Sequence, residues 1–323
     1  MLGRLAAFGS YMFQPPSFMA MSSGDLAADR RFEWARDCQV RGEIPAAIDL
    51  LRQVLELVPD YAAAWFALAS LLEKQGERKQ AVDAYRKARA ADPHDRHGAL
   101  PCLIRLGAAQ TAELPPAYIR SLFDQYAPVF DSVLVGGLNY RPALLFEAVR
   151  EVFDHERRRP SAAAVLDLGC GTGLAGERFR PVTGHLCGVD LSAGMVAQAH
   201  RKAIYDRLHI GDLLEFLEAD GAAGNRYDLV IAADVFVYVA DLAPVFSAVA
   251  RILAAEALFA FTLEAGVAEA SILKNSLRFA HGRSYVSATL SSAGLALLIM
   301  REITLRTEKG EPVPGLLVVA RHN

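Results

Sequence analysis

Two acids and a run of glycines carry the chemistry that is most legible in this chain. The β-rich run Ala164-Val165-Leu166-Asp167-Leu168 passes directly into Gly169-Cys170-Gly171-Thr172-Gly173. Glycines at a strand's end permit a tight turn and let a ligand lie against bare backbone. The next β-rich run, His185 to Val189, ends in Asp190, 21 residues after Gly169. An acid at that place accepts both hydroxyls of a ribose, so the two segments predict a nucleoside site on a Rossmann-like sheet. A glycine turn alone is weak evidence, since dinucleotide enzymes carry one too. Counted from Gly169, the Gly-x-Gly-x-x-Gly fingerprint finds Leu174 in place of its third glycine.

Asp167 adds an electrostatic argument. A carboxylate inside the strand before the turn would repel a pyrophosphate and suit an ammonium. S-adenosylmethionine has an amino-acid tail and a sulfonium and no phosphate, so charge favours it over NAD. The residues then resemble a known family. Residues 165–173 are similar to the first motif of class I S-adenosylmethionine-dependent methyltransferases, and Asp190-Leu191-Ser192 with Met195 resembles the second. Gly211-Asp212-Leu213 matches the position whose acid faces the adenine amino group, and Tyr227 to Ile231 with Asp234 and Val235 matches the fourth strand and the acid-bearing loop after it. Leu122-Phe123-Asp124-Gln125-Tyr126-Ala127 and Phe130-Asp131 resemble the lid of small-molecule methyltransferases, in which the Tyr reaches the methionine carboxylate. The resemblance implies a cofactor site made of Tyr126, Asp167, Leu168, Gly169, Cys170, Gly171, Thr172, Gly173, Asp190, Leu191, Met195, Asp212, Leu213, Asp234 and Val235. It departs before the fifth strand, where the usual Lys-Pro-Gly-Gly turn reads Ala254-Ala255-Glu256-Ala257.

The acceptor side is thinner. Methyl transfer from a sulfonium mainly requires the acceptor to be held in line with the carbon–sulfur bond, and a base helps when the acceptor has a proton to lose. Tyr238, Glu264 and His281 are the candidates for catalysis. Each has a plain alternative: a buried aromatic, a solvated acid at a strand's end, and a loop histidine. Arg278 and Arg283 are candidates for an anionic substrate, or ordinary surface charge. No Gly-x-Ser-x-Gly, His-Glu-x-x-His or Walker turn occurs, and His185, His200 and His209 lack metal-ligand spacing, so no metal is expected.

Elements that position these residues begin with a repeat. Gly42 and Gly76, Ala47 and Ala81, Leu51 and Tyr85, Val54 and Ala88, and Pro59 and Pro93 are each 34 residues apart. Glycine closes one helix, alanine lets two helices approach, and proline stops the second. With Trp65, Leu68 and Tyr85 the second copy resembles the tetratricopeptide repeat, and the first departs at Arg31. The whole chain thus resembles bacterial methyltransferases with tetratricopeptide repeats. Residues 1–26 read as a disordered extension, 27–110 as the repeat module (28–61, 62–95 and a capping helix over 98–107), and 111–323 as the methyltransferase domain, with lid helices over 113–150. After Ser161, β-rich and helical runs alternate, and a turn with Gly310, Pro312 and Pro314 joins the last two strands. The expected fold is an α/β Rossmann-like class I methyltransferase domain, its seven-stranded sheet mostly parallel with the last strand antiparallel, behind an all-α repeat module.

Composition agrees. A chain of 323 residues, 53% hydrophobic, has enough apolar surface to fold, and 34 basic against 37 acidic residues argue against a nucleic-acid binder. No run of about 18 apolar residues occurs, so no membrane span is expected. Cys38, Cys102, Cys170 and Cys187 form no C-x-x-C pair and read as core residues of a cytoplasmic protein. The leading expectation is methyl transfer from S-adenosylmethionine to a small molecule, with S-adenosylhomocysteine as product. The rivals are a cofactor-binding scaffold and a protein or peptide methyltransferase whose repeats dock the substrate. The repeats would pack beside the lid, and they suit a peptide partner or a homodimer contact.

Overall fold

A computed structural model describes residues 22–109, 114–138, 141–157, 159–267, 270–308 and 310–322. Residues 1–21 of the expected disordered extension lie outside the described residues, as does the expected domain boundary at 110/111. Residues 22–25 of that extension instead lead into the first helix, which Leu26 opens. Asp25 is its N-cap and accepts from the N–H groups of Ala27 and Ala28. The chain divides into two compact units between Leu122 and Phe123, inside a helix.

The N-terminal unit is helical. α1 (Leu26–Arg41) and α2 (Ile44–Leu57) form the first pair, α3 (Ala62–Lys74) and α4 (Arg78–Ala91) the second. Gly42 and Gly76 sit at φ 81° and 83°, the left-handed conformation that lets each first helix end without strain. Ala47 and Ala81 are fully buried at the helix crossings, where a larger side chain would hold the pairs apart. Phe32, next to the departing Arg31, fills the core beside Tyr61, Phe66 and Tyr85. α5 (Ala99–Arg105) buries Ala99, Cys102 and Leu103 in the same core. Arg105 of α5 pairs with Glu73 of α3, which also accepts from the Tyr85 hydroxyl at 3.0 Å.

α6 (Pro116–Tyr126) crosses the division, and a π-helical turn (Ser132–Gly137) and α7 (Ala143–His155) follow. The sheet is built from β1 (Ala162–Leu168), β2 (Thr183–Asp190), β3 (Arg207–Ile210), β4 (Tyr227–Ala232), β5 (Leu253–Gly266), β6 (Ser271–Leu273), β7 (Phe279–Gly282), β8 (Leu295–Glu308) and β9 (Glu311–His322). Helices α8 (Gly176–Phe179), α9 (Ala193–Arg201), α10 (Leu213–Ala222), α11 (Ala243–Ile252) and α12 (Arg283–Ser292) alternate with the strands. The seven expected strands run β3-β2-β1-β4-β5-β9-β8. Among the described residues the sheet has nine, because the short β6 and β7 add a hairpin along residues 264–266 of β5. The last strand, β9, is antiparallel to both β5 and β8. Pro312 and Pro314 lie within β9 rather than in the turn before it.

Alternation explains why the central strands read as continuous apolar runs. Leu166 and Leu168 of β1, Val230 of β4 and Val318 of β9 face one core, with Phe216, Phe246 and Leu290 from α10, α11 and α12. Val165, Leu229, Ile231 and Leu317 face the other, with Leu145, Val149 and Val152 from α7. Both faces of a parallel sheet are covered, so neither set of positions can be polar. Where the family's glycine turn is missing, Glu256 takes φ 62° in a bulge at the start of β5. Among the described residues no helix is long and apolar enough to cross a membrane, and the four cysteines are buried and unpaired.

Candidate active site

Loops at the C-terminal ends of β1, β2 and β4 form the site, and the segment after Leu122 touches all three. The β1 loop folds on glycine. Gly169, Gly171 and Gly173 take φ 62°, 53° and 93°. A Cβ on Gly169 would lie 2.5 Å from Val235, so the β1 and β4 loops meet there without room for a side chain. A Cβ on Gly171 would approach only Phe130, at 3.9 Å, which leaves a cradle in front of the turn. The Gly171 N–H donates to Asp190 Oδ2 at 2.9 Å, and the Ser192 N–H to Oδ1 at 2.8 Å. Each Asp190 oxygen keeps a further lone pair. Burial pushes the Asp190 carboxyl up to about 6.

Asp167 is 1% exposed. Its Oδ2 accepts from the Tyr205 hydroxyl at 2.7 Å, while Oδ1 is buried with no hydrogen-bond partner. Burial raises its carboxyl to about 7, against the lowering effect of the Tyr205 hydrogen bond. An orphaned carboxylate oxygen beside a glycine cradle fits a cationic ligand group and does not fit a phosphate. Tyr205 was not singled out by sequence, and neither was Gly176. Counted from Gly171, the segment Gly171-Thr172-Gly173-Leu174-Ala175-Gly176 does satisfy the dinucleotide spacing, so Leu174 is no argument against NAD. The weight against it rests on Asp167.

Several expected cofactor residues have other tasks as well. The Leu168 and Met195 side chains are buried in packing, and the Met195 N–H donates to Ser192 Oγ. Thr172 Oγ1 bonds to Asp131. Asp212 Oδ1 caps α10, accepting from Leu214 and Glu215, and Leu213 packs on the core behind it. Cys170 is 5% exposed and its thiol is raised by burial. Tyr126 packs with Phe130 and Leu174 around Leu134 and Leu138, and burial pushes its phenol up to about 12.

The segment expected to form a lid is fastened by acids that the sequence showed only as part of a motif. Asp124 Oδ1 accepts from Ser192 Oγ at 2.5 Å and from the Gly194 N–H at 2.9 Å. Asp131 bonds Thr172 and lies 2.9 Å from Lys202 Nζ. Phe123 meets Tyr238 edge to face, with centroids 5.3 Å apart.

On the acceptor side the structure corrects three expectations. Glu264 is no solvated acid at the site's mouth. It is 1% exposed, paired with Arg306, 3.1 Å from Lys274 and 3.8 Å from Arg278. Burial pushes its carboxyl up, and the three cations more than reverse this, so it ends below its ordinary value. A carboxylate so held is a poor proton acceptor. Asp234 faces Arg306, whose Nη1 lies 3.1 Å from both carboxylate oxygens, and its N–H donates to Thr262 Oγ1. His281 lies on β7 and not in a loop. It is fully buried, its Nε2 is 2.9 Å from the Val239 carbonyl oxygen, and burial lowers its pKa. Arg278 is 5% exposed, hence no surface charge; it donates to the Tyr238 hydroxyl at 3.2 Å and to Glu308 at 2.7 Å. Arg283 is exposed and faces Glu302. Tyr238 thus stands between Phe123 and Arg278. Spacing could not show this, because Arg306 and Glu308 come from β8 and Arg278 from the segment between β6 and β7.

Parts of the chain are similar to known proteins. Residues 166–259 match the family model described as a methyltransferase domain, and residues 32–96 match the tetratricopeptide repeat. Human methyltransferase-like protein 27 is 34% identical over 27% of this chain and 35% of its own length. A dTDP-3-amino-3,4,6-trideoxy-alpha-D-glucopyranose N,N-dimethyltransferase of Streptomyces venezuelae is 32% identical over 23% of this chain and 30% of its own. A ubiquinone biosynthesis O-methyltransferase of Chelativorans sp. is 30% identical over 32% of this chain and 46% of its own. The chain therefore spans less than half the length of these curated relatives. An S-adenosylmethionine-dependent methyltransferase from Clostridium acetobutylicum superposes with a TM-score of 0.47 at 16% identity, covering 62% of this chain and 98% of that one. The N-methyltransferase NodS of Bradyrhizobium japonicum, in complex with S-adenosylhomocysteine, gives 0.42 at 17% identity, covering 55% of this chain and 84% of that one. The chain is thus similar to methyltransferases over residues 166–259 and to tetratricopeptide repeats over residues 32–96, ahead of that stretch.

Proposed function

We propose that this protein methylates a small-molecule acceptor in the cytoplasm, at a site whose cofactor end is built on Asp167 and Asp190. The buried, unpartnered Oδ1 of Asp167 carries the reading, because it calls for a hydrogen-bond donor and a charged amino group satisfies it best. When bound, S-adenosylmethionine supplies a methyl group on a sulfonium, already activated for displacement. Asp167 would hold the amino group, and the remaining lone pairs of Asp190 the ribose hydroxyls. Asp212 would face the adenine with the oxygen that does not cap α10. Tyr126 would reach the methionine carboxylate, and the closed lid would keep water from the transfer.

Tyr238 is the acceptor-side group of this reading. Its ring is fixed by Phe123 and its hydroxyl by Arg278, so it can align an acceptor with the methyl. Glu264 and His281 support the wall behind it, the first by joining Arg306, Lys274 and Arg278, the second by bonding Val239. The names of the relatives point to an amino group or a hydroxyl on a small molecule as the acceptor chemistry. Four buried, unpaired cysteines support a reducing compartment.

Titration calorimetry with S-adenosylhomocysteine and with NAD tests the cofactor end; binding of NAD alone would overturn it. A turnover screen with S-adenosylmethionine over amino sugars, phenols and peptides tests the acceptor. Product formation confined to peptides would replace the small-molecule reading, and binding without turnover on any class would favour a scaffold.

A further inference from the structure

Tyr205 lies in the turn between α9 and β3, outside every motif of the cofactor site. Its hydroxyl donates to Asp167 Oδ2 at 2.7 Å. The ring occupies a crevice that three glycines leave open. A Cβ would stand 2.2 Å from its hydroxyl at Gly176, 2.9 Å from Cε1 at Gly188 and 3.1 Å from Cε2 at Gly173. Glycine at these places is what admits the ring, so the crevice and Tyr205 belong together. Burial holds the phenol well above its ordinary value, which keeps it a donor.

The other oxygen of Asp167 has no hydrogen-bond partner. A carboxylate anchored through one oxygen has the direction of the other fixed, and the anchoring bond favours its ionised form. The groups that act on Asp167 come from three elements. Asp190 at the end of β2 raises its pKa, and Tyr205 and the Gly176 N–H lower it. The thiols of Cys170 and Cys187, themselves raised by burial, stand near it uncharged.

We propose that Tyr205 is a positioning residue for cofactor recognition: its hydroxyl anchors Asp167 Oδ2 and thereby presents Oδ1 to the amino group of S-adenosylmethionine. The inference rests on the cofactor reading above. It adds that discrimination for the amino-acid tail depends on a residue that touches Asp167 and not the ligand.

The test uses the full chain and two probes, S-adenosylhomocysteine, which has the amino group, and 5′-methylthioadenosine, which lacks the amino-acid tail. In Tyr205→Phe the ring still fills the crevice. Affinity for S-adenosylhomocysteine at pH 7 should fall about tenfold, the size of one hydrogen bond to a charged group. Affinity for 5′-methylthioadenosine should change less than about twofold. The pH at which S-adenosylhomocysteine binding is half lost should move upward, because Asp167 loses a bond that favours its ionised form. Adding Asp167→Asn should abolish that pH dependence, and Tyr205→Phe should then have no further effect on it. Equal losses for both probes, or an unmoved pH profile, would overturn the inference and leave Tyr205 a packing residue. If the unaltered chain bound neither probe, the cofactor reading would fall first and this one with it.

Discussion

Asp167 makes the cofactor end of the site sensitive to pH in the ligand-free protein. Its pKa is about 7 in the folded chain against an ordinary value of 3.8, with burial as the cause. An acid whose folded pKa is raised opposes folding while it is ionised. That penalty is present above pH 7 and is relieved as pH falls through 7 toward 4. Between pH 8 and 5.5 the relief is about 2 kcal/mol. Thermal unfolding of the ligand-free chain and of Asp167→Asn at both pH values measures it: the variant should lack this share of the gain at low pH. Glu264 has the opposite character, an acid held ionised by Arg306, Arg278 and Lys274. Glu264→Gln leaves the fully buried Arg306 with a missing partner and should cost about 3 kcal/mol. The melting temperature should fall by about 6–12 °C with S-adenosylhomocysteine affinity unchanged. Lost affinity would instead place Glu264 in the cofactor site.

At the scale of elements, the lid and the β5 bulge make separate predictions. The segment from Phe123 to Asp131 is fastened to Ser192, Gly194, Thr172 and Lys202 through Asp124 and Asp131. If Tyr126 closes over the cofactor, backbone amides of residues 118–130 should exchange more slowly when S-adenosylhomocysteine is bound. Equal exchange with and without the ligand would remove the lid role. At the start of β5, Glu256 adopts φ 62°, which disfavours any residue with a Cβ. Its exposed side chain is 3.6 Å from Arg321, a contact worth little in water. Glu256→Gly should therefore stabilise the chain by about 1 kcal/mol, raising the melting temperature by about 2–4 °C. No change in calorimetry would mean that the bulge relaxes around the glutamate.

For the whole molecule, the two units have separate cores. Phe32, Leu51, Phe66 and Tyr85 belong to one, and the sheet residues on either face of β1 and β4 to the other two clusters. A chain starting at Thr111 should therefore fold cooperatively and bind S-adenosylhomocysteine within about threefold of the full protein, since separate cores contribute nearly independently. Turnover of the same acceptors at the same rate would take the repeats out of catalysis. Normal cofactor binding with lost acceptor turnover would assign them to substrate recognition.

Local signals were legible in the sequence because each depends on residues close together in the chain. A glycine turn after a strand, an acid about twenty residues on, and a helical pair repeated every 34 residues are all set by short-range sterics and periodicity. These pointed to a methyltransferase domain behind repeated helical pairs, and to the mostly parallel sheet with its antiparallel last strand. The short β6 and β7 were missed because three- and four-residue strands have too little pattern to stand out from a loop. What tertiary structure decided is pairing across the chain. Arg306 is about forty residues from Glu264 and about seventy from Asp234, so no spacing rule could show that it would neutralise both. Tyr205 reaches Asp167 only because Gly173, Gly176 and Gly188, scattered along the chain, leave its ring a place. Charge compensation in a buried site depends on three-dimensional distance, and that distance exists only once the sheet has formed.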